Sequence, residues 1–370
     1  MKLFICPVSN DSLYVQLIHR DLGVNYTRLF RKGGGLAEAI ACLEASEPVI
    51  VHVQWEEFHL NSARTEQGAK RMAEQVIAEL RKVKQLSGAI VWTVHNQLPH
   101  KVPFNDAFLR IRSALAEVAS RIVVHNAASI DMLTAQTGLS GDDRRLTVIP
   151  HPSYAGMYEP EGRAAAELRA QTGAAEPPFV LGFGAMRRQK GFDFMLDALD
   201  APFAARHGLR LRLSGKGEEG AALQLAHAHR TDIDWRLDYV PQDEVPALFR
   251  SAACLVLPYR RVATSGVALL GLTLGGVIVA PRFPAFVELL PPGLRRFLYE
   301  PDDPASLRDV VSEVAALSPE ESRAVRLEGL GVAEALHPSR ISRALGEAYR
   351  AAAQEMRFAA EDARHESLDA

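Results

Sequence analysis

Cysteine is scarce in this sequence. Cys6, Cys42 and Cys254 are the three in 370 residues, far apart, without C-x-x-C spacing, each within or beside an apolar run. That pattern excludes the paired spacing of redox and zinc motifs and fits reduced thiols acting as small hydrophobes, as expected in the cytoplasm. A dominant charge sign is missing too. With 42 Lys and Arg against 45 Asp and Glu, the net charge of -3 leaves no general positive field to hold nucleic acid by its phosphates, and no nucleic acid is expected as partner. Long apolar runs are also lacking. The opening MKLFICPVSN has one lysine and a four-residue apolar run before Pro7, and no later window reaches bilayer length, so neither a signal peptide nor a membrane span is expected. There is no internal repeat or low-complexity tract.

What remains is an ordinary soluble composition, 48% hydrophobic and 24% charged, over a length that suits two domains better than one core. Short runs rich in Val and Ile at Lys2 to Val8, Pro48 to Trp55, Ala89 to His95 and Arg121 to His125 read as strands buried on both faces. Helical spacing separates them, as at Gly68 to Gln85, where Met72, Val76, Ile77, Leu80 and Val83 recur, and at Phe104 to Ala119. A second strand series starts at Phe179, Leu209, Cys254 and Val277 and ends near Phe297. This alternation predicts an α/β chain of two doubly wound Rossmann-like domains facing across a cleft, with helices at the carboxyl end. The expected boundaries are 1–155, a linker over 156–177, 178–335, and a helical segment 336–370 returning to the first domain. Pro152 to Pro178 holds four prolines and three glycines, which marks the linker, and the polar tail AAEDARHESLDA is expected to fray.

In doubly wound sheets ligands sit outside the carboxyl ends of the strands, so site residues should follow strands. The first strand of the second half runs into GAMRRQKG, with Gly184 permitting a tight turn and FDFMLDAL opening a helix. Arg187 offers a planar fork to phosphate oxygens, and Lys190 a compact charge near a helix amino terminus. The alternative is a solvated basic loop. A second constellation is LPYRRVATSG, where Tyr259 ends a strand, Arg260 follows, and Thr264, Ser265 and Gly266 open a helix whose free amides could hold a diphosphate. An ordinary N-cap would account for the same serine or threonine. The segment SGKGEEG holds Gly215 and the start of a dinucleotide fingerprint with its third glycine off spacing, and it reads as lining the nucleotide pocket.

In the first half, VWTVHNQLPH puts His95 and Asn96 where a strand runs out, with His100 beyond a proline turn, while VIVHVQWEEF ends in Trp55, Glu56 and Glu57. Displacement at an anomeric carbon needs a group to take the acceptor hydroxyl's proton, and Glu57 or His95 could do so. Strand alternation points Glu56 away. His52 packs within its strand, and His125 and His151 are weaker candidates; a lone histidine is more often structural. These histidines lack ligand spacing, and no metal and no cofactor are expected. Asp232 to Asp234, the D-x-D, reads as surface chemistry between a helix and a strand, and the basic face of Lys70, Arg71, Arg81, Lys82 and Lys84 as a solvated helix.

The order GAMRRQKG, SGKGEE, ACLVLPYRR, TSG and GGVIVAP resembles the nucleotide-binding half of GT-B glycosyltransferases. Retaining members carry two glutamates eight residues apart, and the matching positions here are Ala263 and Gly271. A narrower resemblance, to bacterial xanthan-type β-mannosyltransferases, covers HVQWEEF, VWTVHNQLPH, IPHPSY, RRQKG, VLPYRRVATSG and RRFLYE. It implies inverting transfer from GDP-mannose to a polyprenyl-diphosphate-linked oligosaccharide at the inner face of the cytoplasmic membrane. Trp55, Glu57, His95, Asn96, His100, His151, Tyr154, Arg187, Lys190, Tyr259, Arg260, Ser265, Gly266, Tyr299 and Glu300 occupy the shared motif positions. The mechanism expected is in-line attack, Glu57 or His95 deprotonating the acceptor while Arg187, Lys190 and the TSG loop stabilise the departing diphosphate. Two other readings share the pocket: a GT-B nucleotide-sugar epimerase, and an inactive nucleotide-sugar-binding scaffold subunit of a polysaccharide assembly complex.

Overall fold

The structure, a computed structural model, describes residues 1–7, 12–30, 35–99, 104–170 and 179–368. It divides into two compact units, Met1–His151 with Pro338–Ala370, and Pro152–His337. His100, one of the expected site residues, lies outside the described residues.

The first unit runs β1 (Lys2–Cys6), α1 (Leu13–Ile18), β2 (Thr27–Phe30), α2 (Leu36–Glu44), β3 (Val49–Gln54), a 3-10 turn at Glu56–Leu60, α3 (Glu66–Gln85), β4 (Ala89–Thr93), α4 (Asn105–Val118), β5 (Arg121–Val124), α5 (Ala128–Thr137) and β6 (Leu146–Val148). Its strands form a parallel six-stranded sheet in the order β2-β1-β3-β4-β5-β6. Every residue of β3 and β4 is buried, as a sheet covered by helices on both faces requires. α3 shows how the sequence makes its helices. Thr65 caps it by accepting the Gly68 N–H at 3.1 Å, and Ala69, Ala73, Val76, Leu80 and Val83 form the one stripe that faces the core.

The second unit runs α6 (Arg163–Ala170), β7 (Phe179–Phe183), α7 (Phe192–Ala198), α8 (Ala201–Arg206), β8 (Arg210–Ser214), α9 (Gly220–Ala226), β9 (Ile233–Arg236), α10 (Val245–Ser251), β10 (Ala252–Val256), α11 (Gly266–Thr273), β11 (Ile278–Pro281), α12 (Pro284–Leu289), β12 (Leu298–Tyr299), α13 (Pro304–Ala315) and α14 (Pro319–Ala335). Its parallel sheet has the order β12-β11-β10-β7-β8-β9. The chain then enters α15 (Pro338–Leu368), whose first turns belong to the first unit: Ser342 Oγ accepts the Asp21 N–H at 2.9 Å, and Arg343 pairs with Asp21 at 2.7 Å.

Both sheets reverse their winding once, between β1 and β3 in the first unit and between β7 and β10 in the second. At such a switch point the loops leaving neighbouring strands diverge, opening a crevice at their carboxyl ends. The two crevices are where the expected site segments fall.

Three strands were not expected from the sequence: β2, β6 and β9, each at a sheet edge and four residues or fewer long. An edge strand is covered less, so it carries a weaker apolar run; β6 is only half-buried or exposed throughout. Asp234 therefore lies on β9, paired with Arg212 at 2.7 Å, not between a helix and a strand. The segment read as a linker contributes α6, which buries Ala164 and Leu168 in the second unit. The polar tail lies in α15 as far as Leu368.

Docking of α15 depends on a missing side chain. A Cβ on Gly346 would sit 1.8 Å from the Leu22 carbonyl oxygen. Gly346→Ala is expected to cost about 1–3 kcal/mol through forced separation of α15 from the α1 loop, seen as a lower unfolding temperature. Gly331→Ala, whose Cβ would meet nothing within 4 Å, serves as the neutral control.

Candidate active site

At the switch point of the first unit β3 ends abruptly. Gln54 is its last residue, and Trp55 turns into the left-handed region at φ 43°, ψ 64°. A bulky side chain there costs about 1–3 kcal/mol and persists only where its surroundings fix it. The indole is fixed on three sides. It stacks on the His95 ring at 4.1 Å between centroids and on Phe58 at 5.8 Å, and meets the edge of Tyr14 at 5.4 Å. Because of this turn, Glu56 and Glu57 do not alternate across a strand as expected; both lie in the 3-10 turn and both are buried.

The two glutamates have opposite surroundings. Glu56 is completely buried and receives a forked contact from the equally buried Arg112 of α4, its Nε at 3.0 Å, with the Trp92 indole N–H at 3.3 Å. Arg112 spends its remaining donors on the carbonyls of Asn96 at 2.7 Å and Gln97 at 3.3 Å and on Gln136, and lies 4.4 Å from the Phe108 centroid. This is a buried charge pair with its hydrogen bonds filled. Glu57, 2% exposed, accepts from the Asn96 amide at Oε1, while its Oε2 is buried without a partner. Burial, with the neighbouring Glu56 charge second, pushes its pKa up to about 8.

His95 and His125 are held neutral by burial. Burial drives His95 well below its ordinary value, and His125 down to about 4. His125 donates from Nδ1 to the Ile149 carbonyl at 2.8 Å and accepts the Tyr14 hydroxyl at 3.2 Å. The His151 ring lies 4.8 Å from Tyr14 and 5.6 Å from His125. Among the described residues no group of three His, Cys, Asp or Glu side chains is placed to hold a metal ion.

In the second unit the loops after β7 and β10 meet at the switch point. Gly184 has φ 119° and Gly215 φ 142°, and a Cβ on Gly215 would lie 2.0 Å from the Gly184 oxygen, so only glycine lets these two strand ends approach. The Arg260 N–H donates to the Gln189 carbonyl at 3.1 Å, tying the RRQKG turn to the strand end at Tyr259. Lys190 Nζ lies 3.8 Å over the Tyr259 ring, and Arg187 is partly exposed before the 3-10 turn Arg188–Lys190. Ser265 is the N-cap of α11, its Oγ accepting the Ala268 N–H at 3.1 Å and donating to the Tyr259 hydroxyl at 3.3 Å. Thr264 and Gly266 flank it, half-buried. The amides of the first α11 turn and the cations of the facing turn are donors of the kind that anion sites use. Arg260 itself is engaged by Asp193 at 2.6 Å. At the positions of the missing glutamate pair, Gly271 is packed so tightly that a Cβ would lie 2.6 Å from Ile278 Cδ1.

The structure thus gathers Trp55, Glu57, His95, Asn96 and His151 in the first unit, and Gly184, Arg187, Lys190, Gly215, Tyr259, Arg260, Thr264, Ser265 and Gly266 in the second. Tyr154 belongs to the second unit instead of joining the first group. Its N–H donates to Thr273 Oγ1 at 3.0 Å, and burial raises its hydroxyl pKa. Sequence reasoning missed Tyr14, Gln54 and Arg112. Tyr14 stands in the helix after β1, where the switch-point rule alone would have sought it; Arg112, a charge in an amphipathic helix, gave no signal of burial.

The fold is that of GT-B glycosyltransferases, and the second unit carries a glycosyltransferase family domain. Residues 177–316 match the family described as Glycosyl transferases group 1, which places that domain in the second unit. The chain is 29% identical over 279 residues to the GDP-mannose:glycolipid 4-beta-D-mannosyltransferase of Xanthomonas campestris pv. campestris, covering 72% of each chain. Among solved structures it is similar in fold to Anabaena Alr3699/HepE in complex with UDP, with TM-score 0.66, 17% identity, and 95% of this chain and 100% of that one covered. It is likewise similar to the α,α-trehalose 6-phosphate synthase of Burkholderia multivorans, with TM-score 0.60, 14% identity, and coverage of 95% and 83%.

Removing one partner of the buried pair leaves the other charged and unsatisfied. Arg112→Met is expected to cost about 3–5 kcal/mol in chemical denaturation, and the double variant Arg112→Met with Glu56→Leu to recover most of it. Additive losses would show that the two residues do not act as a pair.

Proposed function

We propose that this glycosyltransferase moves a hexose, mannose, from GDP-mannose to a lipid-linked oligosaccharide, with inversion, in exopolysaccharide assembly. The observation that carries the chemistry is Glu57, a buried carboxyl with one unpartnered oxygen and a pKa raised to about 8, close to the working range of a general base. The donor and acceptor classes rest on likeness to a relative named for GDP-mannose and glycolipid. Among the described residues no helix is long and apolar enough to cross a membrane, so a lipid-linked acceptor would be met by peripheral contact.

On this reading Glu57 takes the proton from the attacking hydroxyl as the new glycosidic bond forms and the bond to the diphosphate breaks. Asn96 orients its carboxylate. Trp55 and His95 offer a flat apolar and polar surface for the acceptor sugar, with His151 at its margin. The leaving diphosphate carries off the electron pair, its charge met by Arg187, Lys190 and the first amides of α11. No cofactor takes part. The glutamate pair of retaining enzymes has no counterpart at Ala263 and Gly271, which accords with a displacement that uses a base instead.

Several measurements bear on this. GDP is expected to raise the unfolding temperature more than UDP or ADP, and Arg187→Ala to remove the difference; equal or absent effects of all three would overturn the donor assignment. Arg187→Ala and Lys190→Ala should each lower turnover by about two to three orders of magnitude. Because the base form of Glu57 exists above its pKa, kcat should rise with pH through a midpoint near 8 and level off about one to two pH units higher. Glu57→Gln should lose about 100- to 10,000-fold and abolish that rise. A pH-independent kcat in the wild type would rule out Glu57 as base.

A further inference from the structure

Behind His95 runs a chain of buried polar side chains that the mechanism above does not use. His19 Nδ1 lies 2.7 Å from the Val15 carbonyl, and His19 Nε2 lies 2.9 Å from the Tyr349 hydroxyl of α15. The same hydroxyl touches His52 Nδ1 at 2.5 Å, and His52 Nε2 meets Thr93 Oγ1 at 2.8 Å and the Gln54 amide nitrogen at 3.1 Å. Gln54 Oε1 in turn meets His95 Nε2. His52, Gln54, Thr93, His95 and Tyr349 are all buried.

Donor and acceptor rules fix the direction of every link. A carbonyl only accepts, so His19 carries its proton on Nδ1. Burial keeps that ring neutral, with its pKa lowered to about 4, so Nε2 is bare and the Tyr349 hydroxyl must donate to it. The Tyr349 oxygen then accepts, which requires the proton of His52 on Nδ1. Burial keeps His52 neutral as well, leaving its Nε2 bare to accept from the Thr93 hydroxyl. The Gln54 amide nitrogen lies over the His52 ring, 3.1 Å from Nε2 and 3.3 Å from Nδ1, and with its nitrogen there Gln54 turns its carbonyl oxygen to His95, where a carbonyl demands a donor.

We propose that this chain fixes His95 as its Nε2–H tautomer, with Nδ1 as a hydrogen-bond acceptor for a substrate hydroxyl, and that Tyr349 and His52 are positioning residues for it. The carboxyl-terminal helix thereby sets the protonation of a ring in the candidate site three side chains away. Its use in orienting the acceptor sugar rests on the function proposed above; the tautomer itself does not.

Long-range 1H–15N correlation spectra of the full-length chain labelled with 15N-histidine separate the two. Rings are assigned through His52→Gln and His95→Gln. The wild type is expected to show His95 protonated on Nε2 and His52 on Nδ1. In Tyr349→Phe the His52 proton loses its acceptor; His52 should move to Nε2–H, donating to Thr93, and His95 should shift toward Nδ1–H. Gln54→Leu, which cuts the last link without touching α15, should release His95 to a mixture of tautomers. A wild-type His95 protonated on Nδ1, or a His95 unchanged in both variants, overturns the proposal. In kinetics, Tyr349→Phe should lower kcat by up to about a hundredfold with the donor KM unchanged. Tautomers as stated with kcat unmoved would uphold the chain and count against the acceptor role of His95.

Discussion

Arg112 and Glu56 form the interaction on which the candidate site of the first unit depends. A carboxylate and a guanidinium without solvent exposure are tolerated only because each is saturated with short hydrogen bonds. The saturation has a geometric result. Arg112 grips the carbonyls of Asn96 and Gln97 after β4 as well as the turn after β3, so two loops leaving adjacent strands are held by one side chain. With Glu56 pinned, the chain must turn left-handed at Trp55 and deliver Glu57 to the amide of Asn96. The strain at Trp55 and the perturbed carboxyl are two results of the same constraint.

The second unit builds its own candidate site by other means. There glycine, not charge, sets the geometry: Gly191 and Gly215 let the loops after β7, β8 and β10 approach to distances no side chain allows, and Gly184 takes a φ of 119° that side chains rarely adopt. A backbone so close-packed presents amides and the cations between them to an anion with little left to reorganise. One unit thus builds its candidate site from buried side chains, and the other from main chain and the cations beside it. Each does so at the reversal point of its own sheet.

Much of this was legible in the sequence where physics repeats itself. Strands buried on both faces announce themselves as unbroken apolar runs, and so β1, β3, β4 and β7 stood out; β2, β6 and β9, exposed at edges, did not. RRQKG and TSG stood out as candidates because strand, turn and helix in that order are the arrangement an anion site uses. Glu57 was singled out, but for an incomplete reason. The argument that neighbouring residues alternate across a strand failed once the strand ended at Gln54, and what separates Glu56 from Glu57 is Arg112, fifty-six positions away from Glu56. The polar chain from Val15 to His95 was invisible for the same reason. It joins residues from α1, β3, β4 and α15, and no local pattern encodes a partner that arrives from the other end of the chain.

The claim on which the account turns is that folding alone keeps Glu57 protonated near neutrality, ready to lose its proton just above it. Titration of the Glu57 side-chain carboxyl by 13C NMR in the intact protein, assigned through Glu57→Gln, tests this directly. The account predicts a midpoint near pH 8. A midpoint near the ordinary glutamate value of about 4.3 would contradict it.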